Sequence, residues 1–340
     1  MKRFIAKALI YFIPFCCIYF GYKILLRSFT GNLGILAQMP IGKNYDRFLK
    51  KNYLSENLTI DTLVVSSDKL QIPNASKIFT HGDSFSDQGI IGYQNYLSHF
   101  INDRVVNIKY TYGGENQINT ALSLLNSGVI DSTNCSVYIM QVVGVNLIRR
   151  LNRIDFDVLY EFPEIEDDSQ INEGIRNDTE LYNLCSFIRL RLNYQNPANI
   201  QVLKDDFFTH RRYSRKLITY FSDMSFVRIE ESAIETAKEN LILLKEKFTE
   251  KGIKFIFLIA TDKYDVYRPF LADDSLPVNT VTDGFNTTNI PDVYIINPKS
   301  TFQEMIHNGQ KDLYMVHDSH WSYIASEVIA RKLYDIIDIQ

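Results

Sequence analysis

The most informative stretch of the chain is Lys77-Ile78-Phe79-Thr80-His81-Gly82-Asp83-Ser84-Phe85-Ser86. A short apolar run ends there in Gly-Asp-Ser, and apolar residues at helical spacing follow from Asp87 onward. This pattern predicts a strand, a tight turn and a helix, with Ser84 in the turn. Such a serine can point out of the carboxyl edge of a parallel sheet, where open α/β folds build their sites.

The predicted turn combines two chemical features. Ser84 offers a hydroxyl nucleophile, and its own backbone N–H would lie near a helix N-terminus, which favours negative charge. That N–H could therefore donate to an oxyanion. The alternative is an ordinary strand-to-helix turn in which the serine only caps the helix. Gly-Asp-Ser alone leaves both interpretations open, because the motif is short and common.

Strand and helix patterns alternate through most of the remaining chain. Strands are predicted over residues 59–65, 105–110, 135–145, 253–260 and 293–296. Helices are predicted over residues 118–125, 230–248 and 301–307 and after Trp321. Strands and helices that alternate at this spacing predict an α/β fold with a doubly wound parallel sheet.

Residues 152–228 interrupt this rhythm. The segment is acidic between residues 155 and 168, and it is basic and aromatic between residues 207 and 216. It is too long for a plain loop, so we predict a mostly helical insertion. The basic cluster could bind an anionic substrate or a lipid surface, although such a cluster is more often a solvated helix face.

The N-terminus has the pattern of a membrane anchor. Residues 8–22 carry no charge, and Lys7 and Lys23 flank them. The apolar stretch reaches the roughly 20 residues of a membrane span if both lysines extend to the interfaces. A cleaved signal peptide is the alternative, but no small-x-small cleavage site follows Tyr22. We therefore predict an uncleaved anchor over residues 1–27.

The charges on either side of this segment predict its orientation. Basic residues are slightly more numerous on the N-terminal side, which places the N-terminus in the cytoplasm and the body outside. The predicted location is thus the cytoplasmic membrane, single-pass, with a periplasmic or extracellular body. Residues 28–70 would form a stalk and lead-in, and residues 71–340 the main domain.

Composition excludes several classes of protein. The chain has 340 residues, of which 46% are hydrophobic, and this is enough for a substantial core. A formal net charge of -4 gives no reason to expect nucleic acid as a partner. The four cysteines have neither a Cys-x-x-Cys motif nor a zinc spacing, and no nucleotide-binding glycine motif is present. The sequence thus gives no sign of a metal or a cofactor.

Four stretches in order resemble the SGNH (GDSL-type) hydrolase superfamily. They are Gly82-Asp83-Ser84, Gly113-Gly114, Gly144-Val145-Asn146 and Asp318-Ser319-His320. The resemblance covers residues 75–150 and 230–340 and leaves the anchor and the insertion uncovered. It implies a flavodoxin-like three-layer α/β/α sandwich, the SGNH hydrolase fold, with a central parallel sheet and no cofactor.

The resemblance also implies a role for each matching residue. Ser84 would be the nucleophile, His320 its base, and Asp318 the group that orients the imidazole. The oxyanion hole would comprise the Ser84 N–H, an N–H of Gly113 or Gly114, and the Asn146 side chain. Each of these residue types suits acyl transfer through a covalent serine intermediate.

The chain departs from the family pattern at two of these motifs. Most members place the aspartate three residues before the histidine, whereas here His317 holds that position and the aspartate is Asp318. Asp-x-His-Trp is similar to the alginate O-acetyltransferase-like branch, although there it precedes the serine motif. Asn146 is followed by Leu147 rather than by the common aspartate. His81 is adjacent to the serine motif and is expected to face away from the site.

The sequence therefore favours a membrane-anchored serine esterase or O-acyltransferase. Its expected substrates are ester groups, above all O-acetyl groups, of a cell-envelope or secreted polysaccharide. The sequence does not distinguish hydrolysis from transfer. The alternative is a catalytically silent, SGNH-like glycan-binding accessory protein of a polysaccharide assembly system. Expected partners are an acylated glycan, the membrane and polysaccharide-assembly proteins, without nucleic acid.

Overall fold

A six-stranded sheet forms the centre of the fold, and every neighbouring pair of its strands is parallel. The computed structural model describes residues 12–14, 60–64, 77–109, 116–131, 133–159, 198–220 and 229–337. The strands of this sheet are β1 (Ile60–Val64), β2 (Ile78–His81), β3 (Val105–Lys109), β4 (Val137–Val143), β7 (Lys254–Ala260) and β8 (Tyr294–Ile296). Two further strands, β5 (Ala198–Val202) and β6 (Lys216–Tyr220), form a separate antiparallel pair.

The order of the strands determines where a site can form. The sheet runs β1-β3-β2-β4-β7-β8. Without the edge strand β1, the chain order across the sheet is 2-1-3-4-5, as in flavodoxin-like folds. The order reverses between β3 and β4, with β2 between them. Ser84 follows β2, so it lies at the carboxyl edge beside the switch point of the sheet.

Helices cover both faces of the sheet. They are α1 (Tyr93–Ile101), α2 (Gln117–Asn126), α3 (Leu147–Leu151), α4 (Glu231–Glu250), α5 (Lys263–Tyr267), α6 (Lys299–His307) and α7 (Tyr323–Ile337). One core contains buried residues of α1, α6 and α7, and the other contains those of α2, α3 and α4. Adjacent strand residues such as Ile78 and Phe79 face opposite cores, because side chains alternate along a strand. The predicted α/β architecture is confirmed.

The strand-to-helix connection at Ser84 differs from the prediction. We expected a helix from about Asp87, but two short 3₁₀ helices, Ser84–Ser86 and Gly89–Ile91, come first. Gly89 has a φ of 59°, a left-handed conformation that interrupts a regular helix. Helix α1 therefore begins only at Tyr93, and the Ser84 N–H lies at the start of a 3₁₀ turn rather than of an α-helix.

The described part of the insertion also differs from the prediction. Residues 198–220 contain the antiparallel strands β5 and β6, not helices. The apolar side chains Leu203, Phe208 and Leu217 are fully buried in the same core as Trp321. This part of the insertion is therefore integral to the domain. The predicted helical character of residues 160–197 and 221–228 concerns positions outside the described residues.

The predicted N-terminal anchor and stalk lie almost entirely outside the described residues. Only residues 12–14 of the anchor belong to them, and they are helical. Within the parts of the chain that the structure describes, no helix is both long enough and apolar enough to span a bilayer. The predicted strand near residue 60 is confirmed as β1, which pairs with β3.

Candidate active site

Ser84 lies at the exposed tip of the turn that follows β2. It is the first residue of the 3₁₀ helix, and its side chain is exposed. Asp83, not Ser84, is the N-cap, since an Asp83 carboxylate oxygen accepts from the Phe85 N–H at 3.2 Å. The capping alternative for Ser84 is therefore wrong, and no hydrogen bond to another described side chain holds its hydroxyl.

The Asp83 carboxylate anchors this turn to the neighbouring strand β4. Its second oxygen accepts from the Val143 N–H at 2.9 Å and from Arg150 Nη1 at 3.0 Å. Both side chains of this ion pair are about nine-tenths buried, so the pair is fixed in place. Asp83 therefore connects the end of β2, the end of β4 and helix α3.

A buried polar network lies directly beneath the turn. Gln141 Oε1 accepts from the Asp83 N–H and from Ser86 Oγ, both at 3.0 Å. Ser86 Oγ also bonds the Tyr93 hydroxyl at 3.1 Å. The Ser86 carbonyl accepts from Asn107 and from Gln94. Because buried polar groups need partners, this network stabilises one conformation of the turn.

Gly82 makes that close packing possible. A Cβ at Gly82 would lie 2.3 Å from Gln141 Oε1 and 2.4 Å from Ser86 Oγ. Both distances are far below van der Waals contact. The buried network occupies the space that a side chain at position 82 would need. Only glycine fits there without a shift of Gln141 or Ser86.

The Asp318–His320 pair lies in the loop before α7. Asp318 Oδ1 accepts from His320 Nδ1 at 2.6 Å and from the His320 backbone N–H at 3.1 Å. A two-residue spacing permits both bonds at once, in the manner of an Asx turn. Burial alone would raise the pKa of Asp318. The hydrogen bonds and electrostatic attraction from His320 outweigh burial, with a smaller contribution from His317, and lower that pKa.

The protonation of His320 follows from its partner. An ionised carboxylate only accepts hydrogen bonds, so Nδ1 carries the proton and donates to Asp318. In the neutral ring Nε2 is then the basic nitrogen. Nε2 is buried, and no hydrogen bond to it forms among the described residues. In this tautomer Nε2 of His320 can accept a proton from a serine nucleophile, as the mechanism of serine hydrolases requires.

Aromatic packing holds His320 against the turn that carries Ser84. The His320 ring lies 4.7 Å from the ring of Phe85, the residue after Ser84. Phe85 also packs edge-on against Trp321 at 4.8 Å. Gln88 Nε2 donates to the Trp321 carbonyl at 2.9 Å. Three contacts therefore join the two segments, although no hydrogen bond connects Ser84 Oγ with His320 Nε2.

A buried lysine supports the loop from below. Lys263, only 1% exposed, donates through Nζ to the carbonyl oxygens of Met315, Val316 and Asp318, at 2.8, 3.1 and 3.1 Å. A charged donor that binds several carbonyl oxygens fixes the backbone strongly. The insertion contributes as well, because the Phe208 ring lies 5.3 Å from the same ammonium.

The predicted oxyanion-hole residues are only partly described. Asn146 lies in the 3₁₀ helix that follows β4, at the same edge of the sheet as Ser84. Its Oδ1 accepts from Arg149 Nη2 at 3.0 Å, which leaves its Nδ2 available to donate. No hydrogen bond joins Asn146 to Ser84 among the described residues. Gly113 and Gly114 lie outside the described residues.

The other histidines near the site have different surroundings. His81 is completely buried, and its Nδ1 bonds the Tyr138 hydroxyl at 3.0 Å. Burial, with a smaller effect of Arg150, lowers the pKa of His81 to about 3, so its ring is neutral. The ring is thus held beside Tyr138, a residue of the core that contains α2, α3 and α4, and no hydrogen bond joins it to Ser84. His317 is 2% exposed and lies beside the Asp318–His320 pair.

Sequence reasoning missed the residues that support this site. Arg150, Gln141 and Lys263 were not assigned a role, although Gln141 lies within a long apolar strand. A polar side chain at such a buried position needs a partner, and that requirement was a usable signal. Lys263, a charge directly after a buried strand, gave a similar signal.

Comparison with known proteins adds no further constraint. The chain matches no family model, no curated protein and no solved structure. Within the described residues, no group of three or more His, Cys, Asp or Glu side chains is arranged to hold a metal ion. The chemistry of the site therefore has to be argued from its own geometry.

Proposed function

We propose that this protein is an SGNH-type serine esterase or O-acyltransferase, with Ser84, His320 and Asp318 as its catalytic residues. The observation that carries the proposal is the Asp318–His320 hydrogen bond of 2.6 Å. It orients the His320 imidazole, whose centroid lies 4.7 Å from that of Phe85, the residue after Ser84. The location of Ser84 beside the switch point of a parallel sheet is a second support.

The proposed reaction has two acyl-transfer steps. Ser84 Oγ attacks the acyl carbon, and His320 Nε2 takes the hydroxyl proton. The ester bond breaks, the proton passes to the leaving alcohol, and the acyl group remains on Ser84. Water or a sugar hydroxyl then attacks this acyl-enzyme and gives its proton to His320, which passes the proton to Ser84 Oγ as the bond between Ser84 and the acyl group breaks. The two acceptors distinguish an esterase from an acyltransferase.

The charge that develops on the carbonyl oxygen needs donors. The Ser84 N–H and the Asn146 Nδ2 group are the candidates among the described residues, and an N–H of Gly113 or Gly114 completes the proposed set. Loss of one such donor typically lowers the rate by about 10²–10³-fold. Asp318 remains ionised and stabilises the imidazolium that forms during each proton transfer.

The substrate class is proposed from location. An anchor at residues 1–27 would keep the catalytic domain at the outer face of the cytoplasmic membrane, where cell-envelope and secreted polysaccharides carry O-acetyl groups. The acyl acceptor or donor would then be such a glycan. No nucleic acid, metal or cofactor is part of the proposal.

Labelling with p-nitrophenyl acetate tests this proposal. We expect the full-length protein, in detergent, to release p-nitrophenol and to gain one acetyl group on Ser84, detected by mass spectrometry. Ser84→Ala should lose both signals, and His320→Ala should lose turnover. An exchange of Ser319 for alanine is the matched control, since this neighbouring serine has no assigned role. Acetylation that persists in Ser84→Ala would overturn the proposal.

A second candidate is a glycan-binding accessory protein without catalysis. The observation that favours it is the lack of a hydrogen bond between Ser84 Oγ and His320 Nε2 in the described structure. A folded wild-type protein without any acetyl adduct would support this candidate. So would a Ser84→Ala variant that retains the full cellular function of the protein.

A further inference from the structure

A cleft with a mixed polar and apolar lining lies at the same edge of the sheet as Ser84. Its volume is about 650 Å³, within the range of roughly 300–1,000 Å³ typical of small-molecule sites. Its walls come from the segments after β7 and β8, from residues 278–286 and from the start of helix α6. None of the four motifs identified in the sequence contributes to its lining.

A segment that contributes to the cleft packs against the turn that carries Asn146. A Cβ on Gly144, at the start of the turn that carries Asn146, would lie 3.2 Å from the Thr282 methyl carbon. The neighbours of Thr282 in the same segment, Asn279 and Asp283, line the cleft. The strand β7, after which one wall of the cleft follows, lies two strands and therefore roughly 10 Å from β2.

The ionisable side chains of the cleft balance one another. Two aspartates, Asp265 and Asp283, stand against the cations Arg268 and Lys299. Lys299 Nζ already binds Asp283 Oδ1 and the Asn279 carbonyl, each at 2.8 Å. Arg268 donates to the backbone carbonyls of residues 274, 276 and 277. Because the cations already bind protein oxygens, the cleft is poorly suited to an anion.

Side-chain amides supply most of the remaining polarity. The amide nitrogens of Asn279, Asn286, Asn297 and Gln303 each donate to a protein oxygen. These bonds fix the amides in place, and each amide nitrogen keeps a second N–H. The oxygens of Asn279 and Asn286 each accept one backbone N–H and keep one lone pair, whereas Asn297 Oδ1 already accepts from Thr261 Oγ1 and from the Lys299 N–H. A wall of fixed amides that both donate and accept matches hydroxyl groups, which also do both. Val278, 60% exposed, adds apolar surface for C–H groups.

We infer that this cleft binds an uncharged, hydroxyl-rich ligand, namely a segment of a neutral saccharide. A role for the bound saccharide as acyl donor or acyl acceptor rests on the proposed function. Saccharide binding in the cleft does not depend on that function. The distance from Ser84 would let one end of a bound chain reach the acyl-enzyme. The inference therefore specifies the glycan class as neutral.

Calorimetry on full-length protein in detergent tests the inference. The neutral probes are maltohexaose and chitotetraose, and oligogalacturonate is the anionic probe. We expect saturable binding of a neutral probe, equal in wild type and Ser84→Ala. Ser300→Trp, at the exposed cleft wall on α6, should weaken binding about 10-fold or more. Glu304→Trp, one turn away on the same helix and outside the lining, should not.

A second variant guards against misfolding of the first. Gln303→Leu removes the amide together with its bond to the Asp265 carbonyl and should also weaken binding, in a protein that still unfolds cooperatively. The inference is overturned if neither neutral probe binds, if oligogalacturonate binds more tightly, or if Glu304→Trp weakens binding as much as Ser300→Trp. Acetate release is measured in parallel. Sugar binding without acetate release would support the cleft as a saccharide site and refute the catalytic proposal. Acetate release without sugar binding would support the catalytic proposal and refute the saccharide site.

Discussion

Asp318 Oδ1 accepts two hydrogen bonds from His320, one from the ring at 2.6 Å and one from the backbone at 3.1 Å. The same oxygen thus fixes both the position of the residue and the tautomer of its ring. A three-residue spacing, usual in the SGNH family, would not bring the aspartate into this Asx turn. The two-residue spacing is therefore a functional equivalent in the proposed mechanism rather than a defect.

An exchange of Asp318 for asparagine should lower kcat by about 10²–10⁴-fold, because the amide no longer enforces the Nδ1–H tautomer or stabilises an imidazolium. Steady-state hydrolysis of p-nitrophenyl acetate measures the effect. Since the pKa of Asp318 is lowered, its charge should persist to a lower pH than that of an ordinary aspartate. Asp335→Asn, at an exposed position on α7, is the control, and an equal loss there would refute a specific role.

Lys263→Met should both destabilise the fold and reduce kcat. Its ammonium binds three carbonyl oxygens of the loop that carries Asp318, and a methionine would leave them without a donor. Loss of a hydrogen bond to a charged group typically lowers the free energy of unfolding by about 1.5–3 kcal/mol. Urea denaturation gives this value, and the pH profile of kcat reports whether the environment of His320 has changed.

Lys263 acts here as a positioning residue for the loop that carries Asp318 and His320. The controls must therefore separate an effect on the stability of the fold from an effect on the position of His320. Lys311→Met removes an exposed lysine close to the same loop and should change neither quantity. Lys263→Arg keeps the charge and should recover part of the stability. If Lys263→Met melts early but retains the wild-type pH profile and kcat, its role is purely structural.

The apolar runs in the sequence predicted the strands well, because a strand buried on both faces needs consecutive apolar residues. The runs over residues 253–260 and 135–145 became β7 and β4 within two residues at either end. Ser84 and His320 were assigned candidate roles because they lie in short motifs that the sequence shows directly. Arg150 and Lys263 were not, because their partners Asp83 and Met315 are more than 50 residues away in the chain.

Two local predictions failed for physical reasons. The helix expected from Asp87 is delayed because Gly89 adopts a left-handed φ of 59°, which the apolar pattern does not reveal. The described part of the insertion forms strands because β5 and β6 pair with each other and bury Phe208 and Leu217 against the common core. Its mixture of charged and aromatic residues does not distinguish that arrangement from an amphipathic helix.

Gly82→Ala should destabilise the protein and disturb the Ser84 turn. The new methyl group would lie 2.3 Å from Gln141 Oε1, so the buried network must shift. Overpacking of this kind typically costs about 1–3 kcal/mol. Denaturation of Gly284→Ala provides the comparison, because a Cβ there meets nothing closer than a lysine carbon at 3.9 Å. Equal stability of the two variants would show that the network yields easily.

His81 should make the stability of the protein depend on pH. Its pKa in the folded state is lowered to about 3 by burial, with a smaller effect of Arg150. The unfolded chain binds a proton below its ordinary value near pH 6.5, whereas the folded chain does not. Unfolding is therefore favoured as pH falls from about 6.5 towards 3, with a slope of up to ~1.4 kcal/mol per pH unit from this single group.

Urea denaturation at several pH values between about 7.5 and 5 measures this slope, and His81→Gln removes the titrating group. A neutral glutamine can still bond the Tyr138 hydroxyl, so the variant should lose less stability on acidification than the wild type. His307→Gln, at an exposed position, should retain the wild-type slope. If the unfolding free energies of His81→Gln and the wild type fall equally with pH, His81 can be protonated in the folded state. Burial would then not lower the pKa of His81.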